Sequence, residues 1–339
     1  MRYALLLLSL APIACGGTEP PSEGAAGTAG AAGAAGSGTA GSGGAEGDLL
    51  PPPAPGEGFQ MAFEMEVPPA TEVWRCLVTK IPDANAFFEI NRVHTKHNTA
   101  IHHMDVTSLS LTGVSIPHGE YDCNQIYADH PELMEKGIIL IAAQAPEYQI
   151  QLPPGVSAHV PPGMDIMHEI HYVNTSTKPI KIVSKVNAYF MPDDQVKNNI
   201  WGFTVRDRKI TIPPGGRTEE WARCTMTDDV DVIFLATHTH KLAARTTLRR
   251  FDGHTVGEQV YENLDWHAPK LVDFPTPLHV KKGEGFELRC YYENPGDKTV
   301  EWGFSAADEM CQFAMVFTPG LASADCKWVE TSDGDLRNR

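Results

Sequence analysis

The stretch "VDVIFLATHTH" at 230–240 decides how the chain folds. Val230, Val232, Ile233 and Phe234 are β-branched or aromatic, so the run favours an extended backbone. Successive side chains on a strand alternate faces, and His238 and His240, two apart, then project together. Two imidazoles so placed can share a metal ion, or they can be an ordinary surface pair. The rest of the sequence has to distinguish these.

Runs of the same kind recur as "IKIVSKVNAYF" (180–190), "GFELRCYYENP" (285–295) and "CQFAMVFTP" (311–319). Between them lie turn signals: "LPPG" (152–155), "VPPG" (160–163), "IPPGG" (212–216) and "KKGEG" (281–285). Frequent short strands with this punctuation indicate an all-β sandwich architecture. A helix is expected only around "HPELMEKG" (130–137). Roughly 270 folded residues are too many for one sandwich, so two tandem domains are expected. The polar, turn-rich "MPDDQVKNN" (191–199) separates them, giving domains over 59–195 and 196–330 and a polar tail over 331–339.

The formal net charge of −16 argues against nucleic acid or an anionic membrane surface as partner. At the N-terminus, Arg2 precedes the apolar run "ALLLLSLAPIA", too short to span a bilayer but suited to a signal-peptide core. It ends at Cys15, followed by Gly16 and Gly17, which resembles the lipobox of bacterial lipoproteins, although Pro12 stands where leucine is usual. The expectation is a signal peptide over 1–15, lipidation of Cys15, and an exported protein anchored in a bacterial envelope, with simple secretion as the alternative. Residues 16–58 are almost wholly Gly, Ala, Ser, Thr, Pro and Glu, a composition that cannot bury enough apolar surface to fold. As a flexible tether this segment would reach about 35–40 Å.

Six cysteines remain beyond Cys15: Cys76, Cys123, Cys224, Cys290, Cys311 and Cys326. An even number in an exported chain implies disulfides, with 15 possible connectivities. No CxxC occurs, so no paired-cysteine zinc site is indicated. The histidines cluster as "HTKHNTAIHHMD" (His94, His97, His102, His103), "MHEIHY" (His168, His171) and the pair at 238 and 240. Adjacent His102 and His103 can share a metal only where a strand ends or kinks. Met310, in "DEMCQF", follows two carboxylates. A lone methionine is usually core filler. Imidazoles with a thioether and no thiolate nevertheless suit copper, because thioether sulfur favours Cu(I) and imidazole serves both copper states.

On "HHM" (102–104), "HY" (171–172), "HTH" (238–240) and "DEMC" (308–311), the sequence resembles the copper type II, ascorbate-dependent monooxygenases, from about Cys76 to Cys326. The resemblance implies two jelly-roll-type β-sandwiches. It implies a copper site of His102, His103 and His171 on the first domain. A second copper site of His238, His240 and Met310 would lie on the second domain, where oxygen and substrate meet. His168 would be a neighbour, not a ligand. Cys76 would pair with Cys123, Cys224 with Cys326, and Cys290 with Cys311.

The implied activity is hydroxylation of a C–H bond of a small molecule, with two coppers per chain, O2, and ascorbate or an equivalent one-electron donor. In the peptide-hydroxylating branch, an arginine two residues before the HxH pair and a tyrosine four after the ligand methionine hold the substrate carboxylate. The matching residues are Ala236 and Ala314, with Gln312 where that branch has asparagine. Neither alanine donates a hydrogen bond, so a neutral, largely apolar substrate is expected, unless a cation such as Lys241 or Arg245 reaches the pocket from another direction. The alternatives are a non-catalytic copper-binding lipoprotein, a purely structural exported sandwich and a zinc hydrolase. The last is disfavoured because HExxH is absent and methionine is a poor zinc ligand.

Overall fold

In "DIMHEIHYVN" (165–174), Ile166, His168, Ile170 and Tyr172 form one alternate set, and Met167, Glu169 and His171 the other. A strand with apolar residues in both sets has to be covered on both faces. A computed structural model shows how. It describes residues 49–98, 101, 103–110, 112–133, 138–143, 146–266, 269–303 and 307–336.

The first half contains β1 (Gly58–Val67), β2 (Thr71–Lys80), β3 (Phe88–His97), β4 (His103–Ser108), β5 (Gly119–Asp122) and β6 (Ile138–Ala143). It continues with β7 (Glu147–Gln151), β8 (Val156–Val160), β9 (Asp165–Asn174), β10 (Ile180–Phe190) and β11 (Asn198–Asn199). The second half contains β12 (Trp201–Asp207), β13 (Thr211–Ile212), β14 (Gly216–Met226), β15 (Val230–His238), β16 (Ala243–Phe251) and β17 (Val256–Asn263). It ends with β18 (Val272–Val280), β19 (Gly285–Asn294), β20 (Val300–Glu301), β21 (Cys311–Thr318) and β22 (Cys326–Thr331).

Five sheets form. The first half holds β1-β10-β3-β8-β11, with β7 also on β3, and β5-β2-β9-β4-β6. The second holds β12-β21-β15-β18, β17-β16-β19-β14-β22 and the short β13-β20 pair. With the accessory strands set aside, each half has eight principal strands. In both, one sheet orders them first, last, third, sixth, and the other second, seventh, fourth, fifth. That wiring is a jelly roll, so the chain folds as two jelly rolls in tandem.

Each sandwich closes on its own core. In the first, Phe63, Val93 and Ile182 of one sheet pack against Val106, Ile166 and Ile170 of the other. In the second, Phe313, Met315 and Phe317 meet Leu248, Phe286 and Leu288. Ile200, Ile233, Phe234 and Val316 of the second half join the first core, so one apolar cluster crosses the junction. The disulfides are Cys76–Cys123, Cys224–Cys326 and Cys290–Cys311, the pairing implied by the resemblance.

Three local features differ from the sequence expectation. The helix α1 (Cys123–Asp129) lies upstream of 130–137, started by Asp122, whose carboxylate accepts the Asn124 amide at 2.9 Å. Of the expected helix, 132–133 are helical and 134–137 lie outside the described residues. The expected linker and Cys15 also lie outside up to residue 48, but its last part is docked. Leu50 is buried, and the Leu50 and Pro51 carbonyls accept from Gln60 Nε2 and Asn187 Nδ2, each at 2.8 Å. Lastly, β15 carries a bulge between Val232 and Phe234, against both β18 and β21.

The two halves share a fastening that the sequence reading missed. β9 ends on Tyr172-Val173-Asn174 and β19 on Tyr292-Glu293-Asn294. Asn174 Nδ2 donates to the carbonyls of Val67, Pro68 and Lys178 at 3.0, 2.8 and 2.9 Å. Asn294 Nδ2 donates to Ile212, Pro213 and Lys298 at 3.2, 3.1 and 2.8 Å. Each Oδ1 accepts an amide two residues on, Ser176 or Gly296, at 3.0 Å. One amide thus ties the strand end to its turn and to the segment before the neighbouring strand. Asn294→Ala leaves buried carbonyls without this donor and should lower stability by about 2–3 kcal/mol. The urea midpoint should fall at unchanged m-value; an unmoved midpoint would show that the fastening is dispensable.

Candidate metal centre

The bulge in β15 decides where its histidines point. Val230 and Val232 face the second core, and past the bulge Leu235 does so. Phe234 joins the first core across the junction, and Ala236 and His238 follow it in alternation. One extra residue has moved His238 to the outer face, toward the first half.

His238 is the last residue of β15, and His240 lies beyond it in a turn closed by the Ala243 amide on the His240 carbonyl at 3.1 Å. The two imidazoles therefore do not share a regular strand face as the HxH spacing suggests. Their rings are 5.2 Å apart and inclined at 83°. The ladder stops here because the Glu309 carboxylate takes the next amides. Its Oε2 accepts from His240 N at 2.9 Å and Met310 N at 3.2 Å, and its Oε1 from Leu242 N at 2.6 Å. Burial pushes Glu309 up to about 7, against the opposing pull of the three amides.

His240 Nδ1 lies 3.0 Å from the Asp308 carbonyl, which only accepts, so Nδ1 carries the proton and Nε2 the lone pair. That Nε2 is buried with no hydrogen-bond partner among the described residues, as is His238 Nδ1. Burial lowers both histidines, His238 to about 3, so both stay neutral as ligands must. Met310 is buried, with its carbonyl accepting from the Tyr292 hydroxyl at 2.8 Å, and it precedes disulfide-bonded Cys311. Two neutral imidazoles and a thioether fit a soft metal ion.

The residues at the substrate positions stand on the same face. Gln312 pairs with His238 and Ala314 with Ala236 across β15–β21. Ala236 is buried, while Gln312 and Ala314 are half-buried. A cation does stand here, although neither one the sequence suggested. Arg206 of β12 pairs with Gln312 and gives Nε to its Oε1 at 3.0 Å. Its charge also lowers His238, behind burial and His240. Arg245 instead bonds Glu262 at 2.7 Å, and Lys241 borders a depression of about 910 Å³ with Arg217 and Trp266. Arg206 had no motif to mark it. Glu309 had one, its place beside Met310.

In the first half, β9 brings His171 to the outer face of its sheet. His171 is buried, with Nε2 2.7 Å from a Glu72 carboxylate oxygen. The carboxylate only accepts, so Nε2 carries the proton. Trp74, opposite His171 in the ladder, stacks on Tyr127 of α1 at 5.1 Å. β4 begins at His103, and its backbone pairs with His171. His102 and the His103 side chain lie outside the described residues. Cys76, Cys123 and Glu169 also converge, but the two sulfurs are bonded to each other and cannot bind metal as thiolates.

Residues 200–335 match the copper type II ascorbate-dependent monooxygenase, C-terminal domain. Similar solved structures include that of Sulfolobus Turreted Icosahedral Virus, 8% identical over 77% of this chain and 90% of that one, with a TM-score of 0.32. PBCV-1 VP54, fitted into the virophage Sputnik, is 6% identical over 80% and 97%, with a TM-score of 0.27. The PBSX exported protein XepA is 6% identical over 76% and 86%, with a TM-score of 0.22. At these scores the likeness carries no function across.

The remaining singled-out histidines sit elsewhere. His94 pairs with Glu147 at 2.8 Å near the surface. His168 projects into the first core, opposite in face to His171, with Nε2 3.0 Å from Ser184 Oγ. His97 pairs with Ser184 in the β3–β10 ladder and is buried as well. Burial lowers His97 to about 4 and His168 to about 3, the second helped by His97. Unfolded, both titrate near 6.5, so below that pH the unfolded chain binds more protons and stability falls as pH drops toward the folded values. Between pH 7 and 4.5 the pair should account for about 5 kcal/mol of lost stability. Urea unfolding of the double variant His97→Leu/His168→Leu should show a correspondingly smaller loss; an identical loss would mean the pair does not titrate in this way.

Proposed function

We propose that the chain, whose residues 200–335 match the copper type II ascorbate-dependent monooxygenase C-terminal domain, is an exported dicopper monooxygenase. It would hydroxylate a C–H bond of a small organic substrate. The observation that carries this is His240, with Nδ1–H held by the Asp308 carbonyl and Nε2 buried without a partner among the described residues, while one Glu309 oxygen holds its amide together with that of Met310. When bound, copper would supply one-electron chemistry at each site. Two electrons from ascorbate and two protons would then convert O2 and a C–H bond into one hydroxyl and one water.

The chain's own part is positional. His238, His240 and Met310 would hold the second metal, and His102, His103 and His171 the first, with Glu72 fixing the His171 tautomer. The face carrying Ala236, Gln312 and Ala314 would receive substrate. The two alanines favour a neutral, largely apolar substrate. A second reading rests on Arg206, whose guanidinium beside Gln312 could hold an anionic group on that face.

Copper-loaded protein should contain two coppers per chain and consume O2 with ascorbate when substrate is present. Met310→Ala should lower kcat/KM on the order of 10³-fold, while the three-histidine copper remains. Full activity in Met310→Ala would defeat the site assignment. Paired substrates differing only as free acid and amide decide the polarity. Preference for the amide supports the neutral pocket, and a preference for the acid that Arg206→Met abolishes supports the second reading.

Three disulfides suit an oxidising compartment. Among the described residues no helix is long and apolar enough to cross a membrane. Lipidation of Cys15 would attach the protein to a membrane. The protein should partition into detergent, and Cys15→Ser should release it or block maturation. Recovery of the wild type wholly in the aqueous phase would leave secretion as the answer.

A further inference from the structure

We propose that Glu309 is the positioning residue that assembles the His238–His240–Met310 site, fixing through its carboxylate where the His240 ring and the Met310 thioether stand. The proposal rests on the copper reading above for what the site holds, but its geometry is independent of the metal. Past the His238–Gln312 pair the β15–β21 ladder ends, so regular sheet bonding no longer joins the two ligand-bearing segments. In its place the Glu309 carboxylate bonds both segments. Oε2 accepts from His240 N at 2.9 Å and Met310 N at 3.2 Å, and Oε1 from Leu242 N at 2.6 Å.

The backbone of Glu309 is fixed in the other direction. Its N–H donates to the Glu301 carbonyl at 3.0 Å, and its carbonyl accepts from Gly303 N at 3.1 Å. The side chain is fully buried. A carboxylate in that place is costly unless its oxygens are occupied, and here backbone amides occupy both. Neither conservative replacement can reproduce this. Glutamine offers one acceptor oxygen and sets an NH2 against an N–H. Aspartate is one methylene short, with its backbone tied to 301 and 303.

Glu309→Gln is therefore expected to fold, to retain two coppers, and to lose at least half of the sulfur scattering seen by X-ray absorption of the Cu(I)-loaded wild type. Copper at the second site should bind about tenfold to a hundredfold more weakly, with the three-histidine copper unchanged. In the metal-free variant, amide exchange at His240 and Leu242 should speed by at least tenfold, while Leu235 and Phe313, inside β15 and β21, keep their protection. Wild-type sulfur scattering and unchanged exchange in Glu309→Gln would overturn the proposal. If the variant does not fold, the metal-free wild type decides. Its 240, 242 and 310 amides should be protected although they lie outside any strand, and exchange at the rate of open turns would refute the role. Absence of sulfur scattering from the wild type would instead count against copper at Met310, and the exchange data would still decide the role of Glu309.

Discussion

A buried carboxylate that accepts three backbone amides is the constraint around which the second half is arranged. Glu309 lies where the β15–β21 ladder gives out, and it takes the His240, Leu242 and Met310 amides that would otherwise be buried without partners. Glu309 thereby bridges the turn from His240 to Ala243 and the Met310 backbone, while the Asp308 carbonyl beside it sets the tautomer of His240. The anchors on either side are rigid. Cys311 is bonded to Cys290 of β19, and the Tyr292 hydroxyl of the same strand holds the Met310 carbonyl.

The duplicated jelly roll gives the two sets of candidate ligands unlike settings within one architecture. Both halves have the same strand order, and both close the seventh principal strand with an asparagine that serves three carbonyls. The candidate ligands use different sheets. His171 stands on the outer face of the sheet β5-β2-β9-β4-β6, the face that also carries Trp74 and the disulfide-bonded Cys76. His238 stands on the outer face of the other type of sheet, β12-β21-β15-β18, the face that meets the first half. Outer faces suit this use because the inner ones are filled by their cores. His97 and His168 show what becomes of histidines on an inner face: burial holds them neutral and they serve as core.

Much of this was legible in the residues. The strand runs at 180–190, 230–240, 285–295 and 311–319 all appear as strands, because β-branched and aromatic side chains at alternating positions have few other ways to be buried. The disulfide pairing is the one the family resemblance implied, and residues 200–335 match that family's C-terminal domain. The helix did not, since Asp122 as a cap and Cys123 as a staple are single-residue signals beside a longer helix-like stretch. Docking of Leu50 was hidden within a composition that reads as tether.

What the sequence determined by itself was which segments are strands, which residue types cluster, and that imidazole and thioether without thiolate suit a soft metal. Tertiary structure alone decided which way they face. The bulge between Val232 and Phe234 sends His238 outward, and no residue type announces it, because a bulge arises from the fit of β15 to both neighbours at once. Arg206 reaches Gln312 from a strand 106 residues away, and Glu309 reaches His240 across 69. Such contacts depend on register between distant strands, which local propensity does not encode and which the closed cores fix.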